Sequence, residues 1–75
     1  MPSLPVLCGR EVVKAFESLS WRVARQKGSQ ILMVNEGHMA TLSSPDHREV
    51  ATGTVRGLIR AAELTVQDFI SASSR

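Results

Sequence analysis

The residues best equipped for chemistry lie in one stretch, Arg25-Gln26-Lys27-Gly28-Ser29-Gln30, which leads into the apolar segment Ile31-Leu32-Met33-Val34. Arg25 and Lys27 are cations two residues apart, Gly28 frees the backbone to turn, and Ser29 sets a hydroxyl beside it. Together they are able to grip a phosphate: the cations neutralise it, while Gly28 and Ser29 offer backbone and hydroxyl donors. The plainer reading of the same residues is a polar strand end followed by a turn. His47 sits in the polar segment Ser44-Pro45-Asp46-His47-Arg48-Glu49, where a capping or loop role is set against an anion contact or a base. His38 follows a turn and reads as solvated. Arg56 and Arg60 are one helical turn apart and form either a phosphate-binding ridge or a solvated helix face. A metal site would need His38, Asp46 and His47 to converge from separate elements, and no metal is expected. The single Cys8 cannot form an internal disulfide and reads as an inert thiol.

The elements that must position these groups are legible from periodicity. Residues 1–8 should be extended, because Pro2 and Pro5 bias their neighbours away from helix. Val12, Val13, Phe16 and Leu19 fall at i, i+1, i+4 and i+7, the apolar face of a helix over Arg10–Leu19. Glu11 stands three residues after Cys8 as in a capping box, although cysteine is a poor cap. Trp21 to Lys27 reads as a strand, with Trp21 and Val23 on one face and Arg22, Ala24 and Gln26 on the other. Gly28-Ser29 makes a turn, and Gln30 to Val34 is a second strand, apolar on both faces. Asn35-Glu36-Gly37 is a hairpin turn, and His38 to Ser43 is a third strand. After the polar connector, Val55, Leu58, Ile59 and Ala62 mark a second helix opened by Thr52 or Thr54. Thr65-Val66-Gln67-Asp68 starts a short terminal helix, packed through Val66, Phe69 and Ile70. The fold class is therefore α+β: a helix, a three-stranded antiparallel sheet, a helix and a short C-terminal helix. Both long helices have one apolar stripe and should cover the same sheet face. The other face stays open while the middle strand offers it apolar side chains, which predicts a partner there.

Seventy-five residues make one domain, 1–75, with a core over about 4–70 and a frayed tail at 71–75. At 43% hydrophobic and 21% charged the composition is that of a globular chain rather than a disordered one. A core this small gains from a homodimer or a protein partner. No apolar run reaches the roughly 18 residues of a membrane helix, and Met1-Pro2-Ser3-Leu4-Pro5 is unlike a signal peptide, so a cytoplasmic protein is expected. The net charge of +2 permits nucleic-acid binding only through local clustering. With one Trp, two Phe and no Tyr, readout of bases by stacking is not supported, and Trp21 is expected in the core.

Taken together, Pro5-Val6-Leu7, Glu11-Val12-Val13-Lys14-Ala15-Phe16, Arg25-Gln26-Lys27-Gly28-Ser29, Pro45-Asp46-His47, Gly53-Thr54-Val55-Arg56 with Leu58-Ile59-Arg60, and Leu64-Thr65-Val66-Gln67-Asp68-Phe69 resemble the HicA, or YcfA-like, toxin family. The resemblance covers residues 4 to about 70, in the family's order and near its spacing. It implies a double-stranded-RNA-binding-domain-like fold. It also implies the toxin of a type II toxin–antitoxin system: a metal-independent, cofactor-free mRNA interferase, an endoribonuclease held in check by a HicB antitoxin. The resemblance makes Arg25, Lys27, Gly28 and Ser29 an RNA cradle, and His47, Arg56 and Arg60 are the further candidate RNA contacts. The family's catalytic histidine directly follows the Gly-Ser pair, and here that position is Gln30. Cleavage without a metal needs a base for the 2′-hydroxyl proton; a glutamine amide exchanges hydrogen bonds but does not take up that proton. Cys8, Ser20 and Glu63 also depart from the pattern, standing where serine, glycine and a helix-ending glycine are usual. An impaired interferase is the expectation, and the alternative is a non-catalytic RNA-binding or antitoxin-binding module.

Overall fold

The first helix forms where the apolar stripe requires one. The structure, a computed structural model, describes residues 4–73, so the extended conformation expected for Met1–Ser3 and the fraying expected for Ser74 and Arg75 lie outside the described residues. Helix α1 spans Gly9–Ser18 and buries Val12, Val13, Ala15 and Phe16. Cys8 is its N-cap, and its backbone N–H donates to Glu11 Oε1 at 3.0 Å. That bond, and secondarily the Cys8 thiol, holds the Glu11 carboxyl below its ordinary range. A depressed carboxylate pKa means that the cap supports the fold at neutral pH and stops doing so as pH falls through the lowered value.

Both long helices end in the same way. The Trp21 N–H donates to the Phe16 carbonyl (3.0 Å) and the Ser20 N–H to that of Glu17 (3.3 Å). After helix α2, which spans Thr52–Ala61, the Leu64 N–H donates to Ile59 and the Glu63 N–H to Arg60, each at 3.0 Å. These are Schellman closures, which need a left-handed residue just past the helix. Ser20 (φ 77°) and Glu63 (φ 59°) fill those positions, so the two departures from glycine fall where a side chain is strained. Ser20→Gly and Glu63→Gly should therefore each stabilise the fold by about 1 kcal/mol. Thermal unfolding checks this: each variant should melt several degrees higher, and an unchanged or lower midpoint would refute the strain argument.

The sheet has strands β1 (Arg22–Lys27), β2 (Gln30–Val34) and β3 (Leu42–Pro45), all antiparallel in the order β1-β2-β3. The third strand is not the expected His38–Ser43. Met33 pairs with Leu42 and Ile31 with Ser44. In that register the partners of residues 38–41 fall at Val34 or in the turn itself, so those residues have no ladder to join. Leu42 and Ser44 turn inward and are fully buried, whereas Met39, inside the expected third strand, is wholly exposed. His38 is not simply solvated. Its ring lies 5.3 Å from that of Trp21, and its Nδ1 is 3.4 Å from Glu63 Oε1.

Strand β1 also corrects the expected faces. Val23 pairs with Met33 and Arg25 with Leu32, so Ala24 is an extra residue, a bulge that rephases the strand. Gln26 consequently pairs with inward-facing Ile31, while Arg22, Arg25 and Lys27 pair with Val34, Leu32 and Gln30 on the outer face. Cross-strand neighbours share a face, so one bulge gathers three cations on one side.

The inner face meets the helices in a single core. It joins Trp21, Ile31, Met33 and Leu42 to the buried residues of α1 and to Val55, Leu58, Ile59 and Ala62. Helix α3 (Val66–Ser73) opens with a reciprocal box: the Asp68 N–H donates to Thr65 Oγ1 and the Thr65 N–H to Asp68 Oδ2, each at 3.0 Å. It continues past residue 70 and buries Phe69 and Ala72, so residues 71–73 belong to a helix rather than to a frayed tail. The order helix, three-stranded sheet, helix is that of the double-stranded-RNA-binding-domain-like fold, with α3 added. As expected, the helices cover one sheet face and leave the other bare.

Candidate nucleic-acid interface

The bare face is where the candidate residues gather. Lys27, Gln30 and Pro45 stand side by side across the three strands, and the next row is Arg25, Leu32 and Ser43. Every residue of β1 is exposed, as is Gln30, while Leu32 and Val34 are half-buried. Neither Arg22, Arg25 nor Lys27 takes part in an ion pair among the described residues. Three cations on one surface with no acid bound to them present uncompensated positive charge, which is what a polyanion requires.

The turn beside this face is shaped by glycine and held from below. Gly28 has φ 60° and joins β1 to β2 in a tight reversal. Gln26 Nε2 donates to the Gly28 carbonyl (3.3 Å) and to Asp46 Oδ2 (3.2 Å), and the Asp46 N–H donates to the Ser29 carbonyl (2.7 Å). Arg10 Nε lies 3.5 Å from Asp46 Oδ1. Asp46 thus ties the turn to the end of β3 and to the start of α1. The adjoining His47 is exposed, and its carbonyl accepts the Gly9 N–H at 2.8 Å. This contact explains Gly9: a Cβ there would strike the Pro45 carbonyl oxygen and lie 2.8 Å from Asp46 Cα.

At the centre, Ser43 Oγ donates to Gln30 Oε1 at 2.8 Å. The amide oxygen is therefore engaged, and Nε2 has no partner among the described residues. The arrangement offers hydrogen-bond donors and cations, and no group at position 30 able to take up a proton.

Of the residues expected to act together, Arg25, Lys27, Gly28, Ser29 and Gln30 share the outer face or its rim, and His47 lies at the same end. Arg56 and Arg60 do not join them. They border a shallow depression of about 170 Å³ with Ile59, Leu64 and Val66, on the helical side of the domain. His38 and Asp46 have separate neighbours, and among the described residues no group of three His, Cys, Asp or Glu side chains is placed to hold a metal ion. Arg22, Ser43 and Asp46 are the additions. Arg22 is brought in by a bulge that no glycine marks, and Ser43 by a register visible only once β3 is placed.

A small α+β domain with a cationic open sheet face and a glycine turn at its edge is thus the class that fold and site define. The profile of the family described as "HicA toxin of bacterial toxin-antitoxin" matches residues 9–64. The chain belongs to the HicA toxin family of toxin–antitoxin systems. No curated protein and no solved structure matches it. No helix among the described residues is long and apolar enough to cross a membrane.

Proposed function

We propose that this chain is the RNA-binding toxin of a toxin–antitoxin pair, an mRNA interferase domain whose cutting position is filled by Gln30. The observation that carries the reading is the convergence of Arg22, Arg25, Lys27 and Gln30 on the open face, produced by the Ala24 bulge. Phosphates of a single strand lie along β1, held by the cations, and the Gly28-Ser29 turn closes one end of the track. Gln30 stands where the family's base would meet the 2′-hydroxyl. Without that base this chain binds RNA and cuts it poorly, since losing a general base costs about 10²- to 10⁴-fold in rate. No metal or cofactor enters this account. His47 lies beside the turn and contacts the RNA at its edge. Arg56 and Arg60, on the helical side, contribute to general attraction rather than to the track.

The half-buried Leu32 and Val34 favour a second use of the same face. Apolar side chains ringed by cations suit a protein with acidic groups around an apolar patch, and a HicB-type antitoxin that covers them excludes RNA.

Lys27→Ala tests the track. Its side chain is exposed and in no ion pair, so folding should be unaffected. RNA affinity should fall, and the slope of log K against log salt should lessen by about 0.7 for the lost contact with single-stranded RNA. Fluorescence anisotropy across a salt series measures both. An unchanged affinity and slope would remove Lys27 from the interface.

A further inference from the structure

The contact between Ser43 and Gln30 goes further than the family assignment. We infer that Ser43 is the positioning residue for position 30: its hydroxyl engages the Gln30 amide oxygen, which leaves Nε2 as the group that faces the RNA track and donates to a phosphate oxygen. This rests on the proposal that the open face binds RNA, and it adds which atoms do so and what orients them. A free carboxamide turns about its last torsion and presents oxygen or nitrogen alike. Here the 2.8 Å bond from Ser43 Oγ engages Oε1. An exposed oxygen beside the track would repel a phosphate, whereas the NH₂ group attracts it.

The geometry follows from strand register. Gln30 pairs with Pro45 and Leu32 with Ser43, so Ser43 is the diagonal neighbour of Gln30 on the outer face, within side-chain reach. Lys27 is the direct neighbour of Gln30 on the other side. Position 30 is thus set between a hydroxyl that orients it and a cation that brings the phosphate. The same hydroxyl would meet a histidine placed at position 30 and set which ring nitrogen faces the 2′-hydroxyl.

A double-mutant cycle on RNA binding is the test, with the intact chain, Ser43→Ala, Gln30→Ala and the pair combined, titrated against one single-stranded RNA. Each single variant should bind about three- to tenfold more weakly, and the double variant no more weakly than Gln30→Ala alone. Ser43→Thr keeps the hydroxyl and should restore binding. In the Gln30→His background, Ser43→Ala should shift the pH profile of cleavage, which a merely structural role would not move. Full affinity in Ser43→Ala, or additive losses in the double variant, would overturn the inference while leaving RNA binding at the face intact. If the unaltered chain binds no RNA, the underlying functional reading fails, and this inference with it.

Discussion

Gln30→His should turn this chain into a ribonuclease. Position 30 lies on the open face beside Lys27, and its side chain already reaches Ser43 Oγ. An imidazole introduced there would stand next to Lys27, the cation proposed to hold the phosphate, and would take up a proton near neutral pH, which the carboxamide does not. Cleavage of single-stranded RNA should rise by about 10²- to 10⁴-fold, the usual worth of a positioned general base. The gain should persist with chelator present and fade as pH falls below about 6.5, where the base is protonated. Discontinuous RNA cleavage assays on both proteins measure it. A histidine variant that folds, binds RNA and yet fails to cut would show that position 30 is not the catalytic centre.

Phe69→Ala should abolish folding or nearly so. The family match ends at residue 64, yet the core does not. Phe69 is fully buried in α3, and its ring centroid is 5.2 Å from that of Phe16 in α1, which is buried to the same degree. Truncating a buried phenylalanine costs about 3–5 kcal/mol in transfer and cavity terms. A domain of this size has total stability toward the lower end of roughly 5–15 kcal/mol. Circular dichroism under urea should show most of the unfolding midpoint lost. A cost below about 1 kcal/mol would mean that α3 is an appendage rather than part of the core.

How far the sequence alone reveals this protein differs from element to element. The faces of α1 and α2 were legible because apolar residues recur at helical spacing and are buried as spaced. The Thr65–Asp68 box was equally legible, and it opens α3 as its residue types require. The third strand was not. Asn35-Glu36-Gly37 has the composition of a tight hairpin turn, but the chain spends four more residues before pairing, and His38 is drawn to Trp21 and Glu63 instead. The bulge at Ala24 carries no glycine or proline to announce it, so strict alternation groups Ala24 and Gln26 with Arg22, whereas Arg25 and Lys27 are the residues that share its face. The clustering of all three cations therefore depends on the bulge. Gly9 has no local signal in the sequence, because its reason is the backbone of Pro45 and Asp46, residues distant in sequence. The candidate site was therefore visible as a list of residues, while its shape depended on register.

The most direct measurement is a map of RNA on the protein: amide chemical shifts of the isotopically labelled chain, recorded as a short single-stranded RNA is added. The account predicts that the largest changes fall on Arg22–Lys27, the Gly28-Ser29 turn, Gln30, Leu32 and Ser43, with little at Arg56 and Arg60. Changes centred on α2 with β1 and β2 unmoved would place the RNA on the helical side and contradict it.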